Sequence, residues 1–206
     1  MTIGNWLRMF LSTLFIGIAV SMLFGFVQQI ADPELELLDA GWVILYLLSG
    51  ALYSVLSQLG FFAYMTLNYY ANDIFRRKTV WFYVQWACII LGFGYLIGLR
   101  AVFFEENNQG WLAYSVFPVV LMAGSVLAAW YKTKLTNPTA FTPTLFFLFV
   151  VTALEAVPAL RQNNALSTLS MVIPLFACNA WQILNLHHYL KKKEEPPAVR
   201  PEVPSK

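Results

Sequence analysis

Six intervals of this chain, 9–31, 40–72, 79–99, 107–131, 135–154 and 162–190, contain no Asp, Glu, Lys or Arg. About 20 apolar residues in a helix, at 1.5 Å of rise each, cross a hydrocarbon layer about 30 Å thick. The pattern therefore predicts an all-α fold, a polytopic membrane bundle of six transmembrane helices. The second and sixth intervals exceed the length of one crossing, so those helices are expected to tilt or to run past the membrane surface. The first, "MFLSTLFIGIAVSMLFGFV" after Arg8, is longer than the apolar core of a secretion signal and has no A-x-A cleavage site behind it. It is expected to stay as an uncleaved span.

Polar residues inside these intervals fall into register. At 100° per residue, Gly50, Ser54, Ser57, Gln58, Tyr64 and Asn68 share an arc of about 120° on the second helix. The third presents Trp81, Gln85, Cys88, Gly92 and Tyr95 on one face, and the sixth Ser167, Ser170, Pro174, Cys178, Gln182 and Asn185. Three helices thus have faces suited to a shared interior. Ser57, Gln58, Asn68, Gln85, Gln182 and Asn185 are the candidate intramembrane polar or interaction residues. Such groups either hold helices together, at about 1 kcal/mol per hydrogen bond, or line a polar cavity or a docking face. Spacing alone does not choose between these. Pro118, Pro143, Pro158 and Pro174 are places where a helix can kink and free backbone carbonyls.

"TALEAVPALR" places Glu155 at the end of the fifth interval, with Pro158 and Arg161 behind it. Acids in spans are costly and mark function. Arg100, Glu155 and Arg161 are read as a candidate outer charge cluster that fixes helix ends, with a proton relay through Glu155 as the alternative. Positions six apart on a continuous helix point about 240° apart, so Glu155 and Arg161 meet only if the helix ends or bends near Pro158.

Charge sets the orientation. Arg8, Arg76, Arg77, Lys78, Lys132, Lys134, Lys191, Lys192, Lys193, Arg200 and Lys206 collect on one side, against Arg100 and Arg161 on the other. Basic loops stay inside, so the N and C termini are expected to be cytoplasmic. Residues 1–190 read as the six-helix transmembrane domain. Residues 191–206, "KKKEEPPAVRPEVPSK", read as a disordered, basic, proline-rich cytoplasmic tail whose lysines are attracted to the lipid surface.

Composition agrees: 59% of residues are hydrophobic and 12% charged, where a soluble domain carries roughly 25% charged residues. The lipid bilayer is the expected surrounding, and a net charge of +2 gives no argument for nucleic acid. Cys88 and Cys178 sit in apolar runs, where a thiol is a small hydrophobe, and no CxxC motif occurs. No HExxH or Walker A motif appears, so no catalytic, cofactor-binding or metal residue is nominated. An intramembrane serine protease would need Ser125 and His187 at one depth. They lie about 21 Å and 33 Å from the outer ends of their helices, too far apart in depth for a nucleophile and its base. No repeat of three plus three spans is visible, which weakens a transporter reading without removing it.

Four stretches together, "NWLRMFLSTL", "SQLGFFAYMTLNYY", "TALEAVPALR" and "CNAWQILNLHHYL", resemble the KinB-signalling pathway activation proteins of spore-forming bacilli, over about residues 4–190. The resemblance implies a membrane protein that is not an enzyme. Such a protein is needed for a membrane sensor histidine kinase to feed the sporulation phosphorelay, with the kinase as partner and no catalytic residue to transfer. The alternative is a small-solute transporter or membrane sensor with a cavity lined by Gln58, Asn68, Gln85 and Gln182.

Overall fold

A computed structural model describes residues 3–31, 40–75, 78–103, 111–161 and 165–190. Residues 32–39, Arg76 and Arg77, residues 104–110, and residues 191–206 with the tail expected there, lie outside the described residues. Four long helices come first: α1 (Ile3–Ala31), α2 (Ala40–Ile74), α3 (Lys78–Phe103) and α4 (Trp111–Leu135). A composite span follows, made of a 3-10 turn at Pro138–Ala140, α5 (Phe141–Phe146), a π-turn at Phe147–Val151 and α6 (Thr152–Leu160); α7 (Ala165–Leu190) closes the chain. Among the described residues six helical stretches are long and apolar enough to cross a membrane, from Ile3–Ile30 to Leu166–Tyr189.

The outside of the bundle is as apolar as its inside. Phe15 and Leu91 are each 71% exposed, and Leu52, Ile90 and Leu127 are similarly bare. A soluble monomer does not leave such continuous apolar surface in water. Polar side chains turn inward instead: Gly50, Ser54, Ser57, Gln58 and Tyr64 of the α2 stripe are all buried. On α3 the expected face splits, with Trp81 and Gln85 buried and Tyr95 exposed.

The fifth span packs against α2, α3, α4 and α7. Leu145, Phe146, Phe147, Leu148 and Phe149 are all buried, as befits a run that is apolar on every side and surrounded by other helices. Their rings meet two neighbours: Phe147 lies against Phe61 and Tyr64 of α2, Phe146 against Trp81 and Phe149 against Phe93 of α3, with centroids 4.9–6.2 Å apart. The absence of charge predicts a fifth span over 135–154. The structure starts it at Pro138 and carries it through Glu155 to Leu160. A charge-based boundary stops at an acid whether it faces water or protein, and Glu155 has partners within the bundle. Pro118, Pro158 and Pro174 lie inside helices, and the interruption in regular α-geometry falls at the π-turn.

α1, α2 and α7 form the tightest group. α1 and α2 cross at Gly17 and Gly50, where the backbones come together. A Cβ added at Gly17 would stand 2.7 Å from the Gly50 carbonyl oxygen, and one at Gly50 would stand 2.6 Å from that of Gly17. Small residues are what permit such an approach. α7 lies over this crossing, with Cys178 Sγ 3.0 Å from the position a Gly17 Cβ would take. At one end of the bundle the Asn5 amide donates to the Tyr189 carbonyl (3.4 Å), so the first and last helices finish at the same level.

Gly17→Leu and Gly50→Leu are expected to lower the thermal unfolding temperature of the detergent-solubilised protein by the equivalent of about 1–3 kcal/mol, the usual cost of overpacking. Gly98→Leu, where nothing lies within 4 Å of an added Cβ, is expected to leave it unchanged. Equal shifts for all three would remove the crossing from the account.

Candidate functional site

The polar side chains assemble in two places. The first is an interior network built on Asn179 in α7. Its carboxamide oxygen accepts from the Ser57 hydroxyl (2.8 Å), and its nitrogen donates to Thr152 Oγ1 (3.0 Å) and to Glu155 Oε2 (2.7 Å). Gln182, one turn further along α7, donates to the same Ser57 oxygen (2.9 Å). Ser57, Asn179, Thr152 and Gln182 are each fully buried. Gln58 points the other way round α2 and donates to the Phe10 carbonyl and to Ser54, both at 3.3 Å. The network therefore joins α1, α2, α6 and α7 through side chains that would each be costly alone in hydrocarbon.

Glu155 is the ionisable member. The π-turn, which holds Phe147 and Phe149 of the core, ends at Val151 just before Thr152, and α6 presents Thr152 and Glu155 to Asn179. Gly60 leaves the room for the carboxylate: a Cβ there would overlap Glu155 Oε1. That oxygen is buried without a hydrogen-bond partner, as are Gln58 Oε1 and Gln182 Oε1. Arg161, expected beside Glu155, is exposed at the end of α6, with its backbone N–H donating to Val157 (3.2 Å). The side chain of Arg100 lies outside the described residues. Glu155 is thus held by Asn179 at the middle of α7, deeper than a helix-end cluster would place it.

The second place is a crevice at the end of the bundle that carries Lys132 and Lys134, hereafter the basic end. Here Asn68 Oδ1 accepts from the Trp81 indole (3.0 Å), and Gln85 is buried nearby along a cavity that both residues line. At the same end the Lys132 ammonium, 5% exposed, donates to the Leu184 carbonyl (3.0 Å) and lies 3.2 Å from His187 Nδ1. Lys132 is thereby a tie between α4 and α7, and not the loop charge expected from its position in the sequence. Asn185 donates only to Trp181 of its own helix (2.9 Å). Ser125 is bonded to Leu121 of α4 (2.7 Å), so its hydroxyl and the His187 ring serve separate contacts.

Of the six candidate polar residues, Ser57, Gln58 and Gln182 belong to the interior network, Asn68 and Gln85 to the crevice, and Asn185 to neither. Periodicity missed Asn179 and Thr152. Asn179 lies 100° from Cys178, which the expected α7 face included, but its i, i+3 spacing to Gln182 was a usable signal. Thr152 gives no sign of its role until the π-turn orients it.

Asn179→Leu is expected to destabilise the detergent-solubilised protein by roughly 2–4 kcal/mol, since three bonds are lost and Ser57, Thr152 and Glu155 lose a partner. Asn185→Leu, whose amide bonds to Trp181 of its own helix, is expected to stay within about 0.5 kcal/mol. Glu155→Gln keeps an acceptor for Asn179 and is expected to fall between them. Chemical or thermal unfolding monitored by tryptophan fluorescence would rank the three, and parity between Asn179→Leu and Asn185→Leu would refute the network.

Residues 13–189 match the family described as KinB-signalling pathway activation in sporulation. The chain is similar to a "KinB-signaling pathway activation protein" of Bacillus subtilis (strain 168), with 33% identity over 191 residues that cover 90% of this chain and 96% of the relative. No solved structure matches the chain. The match includes the network side chains of α2, α6 and α7, and with it the chain belongs to the KinB-signalling pathway activation family.

Proposed function

We propose that this protein is an integral membrane accessory of a KinB-type sensor histidine kinase, needed for that kinase to feed the sporulation phosphorelay, and that it acts by contact with the kinase without being an enzyme itself. The observation that carries the proposal is the likeness to the B. subtilis activation protein along nearly the full length of both chains. The basic end is taken as cytoplasmic because Lys and Arg gather there. Six spans return the chain to its starting side, and the contact between Asn5 and Tyr189 fits termini that share it.

The division of the polar residues favours an accessory over a solute carrier. A path would need Gln58, Asn68, Gln85 and Gln182 along one lining. Gln58 and Gln182 are instead engaged with Ser54, Ser57 and the α1 backbone, while Asn68 and Gln85 line a crevice at the basic end. Polar groups that hold the bundle shut can still contribute to signalling. A partner shifts a kinase between two conformations only through a difference in affinity for them, and a rigid accessory presents the same surface to both.

Expression of this chain in B. subtilis deleted for its own relative is expected to restore phosphorelay output when KinB is the sole input, by at least about tenfold over an empty vector on a phosphorelay-driven reporter. Output driven by another kinase is expected not to change. Full output from KinB in the deletion strain without either protein would overturn the proposal.

A further inference from the structure

We propose that the crevice at the basic end is a docking site for a peptide segment of the partner kinase, adjoining that kinase's membrane helix on the cytoplasmic face. The inference rests on the accessory function proposed above and assigns it a place. The crevice, about 370 Å³, lies between the last turns of α2, the first turns of α3 and the start of the fifth span. Asn68, Asn72, Trp81, Gln85, Thr139 and Thr142 are among its walls. It continues through Asn68 and Asn72 into a shallower groove of about 430 Å³ along α2, bordered by Tyr69 and Asp73. Cavities of this size lie in the range that holds small ligands and short peptide segments.

An unmet donor is built into the wall. Gln85 is 2% exposed, and its amide nitrogen is buried without a hydrogen-bond partner. A buried donor left in this state costs about 1–3 kcal/mol, and an acceptor entering the crevice removes that cost. The other polar walls are already positioned by local bonds: Asn68 by Trp81 (3.0 Å), Asn72 by the Asn68 carbonyl (2.6 Å) and Thr139 by Asn137 (2.7 Å). They form a prearranged frame around one unsatisfied group.

The chemistry of the frame selects the guest. Carboxamides and hydroxyls both donate and accept, as peptide groups do, and Trp81, Phe82 and Pro143 supply apolar walls for side chains. Among the described residues that border the two cavities, Asp73 alone is ionised. Among these described residues a phosphate or carboxylate meets a like charge and no cation, whereas a neutral peptide carbonyl meets Gln85. The groove along α2 extends the site in one direction, which suits a strand of chain better than a compact solute. A second cavity, about 320 Å³ between α4 and α7, is lined by Phe117, Gly124 and Phe176 and has no polar wall. Hydrocarbon satisfies it, and it serves as the comparison.

The test uses the full-length chain in cells that contain the kinase. A photo-activated cross-linking residue is placed at Asn72 or Thr139, both exposed, and at Val120 of the apolar cavity. Cross-links to the kinase are expected at the first two positions and not at Val120. Gln85→Leu is expected to reduce KinB-dependent output roughly three- to tenfold, the loss of one hydrogen bond to the guest, at unchanged abundance in the membrane. If Gln85→Leu does not accumulate, Thr139→Trp, which fills the mouth from an exposed position, is expected to reduce output in its place. Cross-links at Val120 but not at Asn72 or Thr139, with normal output from the crevice variants, would overturn this site and leave the accessory function standing. Loss of output on deletion without a cross-link at either crevice position would overturn docking here. Full output on deletion would overturn the function as well.

Discussion

A carboxamide placed away from water must find partners within the chain, and Asn179 finds them on two other elements at once. Its oxygen is committed to Ser57 of α2 and its nitrogen to Thr152 and Glu155 of α6. Because one planar group fixes both directions, α2 and α6 cannot slide past α7 independently. The Gly17–Gly50 crossing brings α1 close enough for Gln58 to reach the Phe10 carbonyl. Apolar contact alone discriminates poorly between one helix register and the next in a lipid-like surrounding. The network supplies the discrimination.

The helices and their inward faces were readable in advance, and the reason is physical. Absence of charge over 20 residues has one stable solution in hydrocarbon, and a polar residue within it has one preferred direction. Ser57, Gln58 and Gln182 were placed correctly on those grounds. The same logic misplaced Glu155. Treating an acid as a boundary assumes that it seeks water, whereas here Gly60 opens a space and Asn179 supplies a donor. Lys132 likewise continues α4 as a buried tie to Leu184. Asn68 and Gln85 lay on faces that periodicity found, but the crevice they share needs the turn at Pro138 and the approach of three helices. No local pattern encodes that meeting.

The fifth span shows how an interior can be both tightly filled and specific. Its first half is surrounded by aromatic rings, which tolerate small displacements because many contacts share the cost. The π-turn then changes the helical phase before Thr152 and Glu155, where the contacts become directional. π-turns inside helices are uncommon and occur often at functional positions. In this chain the turn separates a half that fills space from a half that reads partners on α7. The directional contacts are thereby gathered beyond the π-turn, while at the basic end Asn72 and Thr139 are exposed and Gln85 and Lys132 are buried.

The distance in sequence between the network's members carries a consequence for how the protein is made. Ser57 finds Asn179 122 residues later, and Gln182 reaches back 125. During synthesis α2 is complete long before α7 exists, so its serine and glutamine must first be satisfied within their own helix or by transient neighbours. Serine does this readily by bonding to a carbonyl one turn back. Assembly of the bundle is therefore finished by its last helix. A chain that stalls before α7 leaves Ser57, Thr152 and Glu155 without the partners that Asn179 and Gln182 supply in the finished bundle.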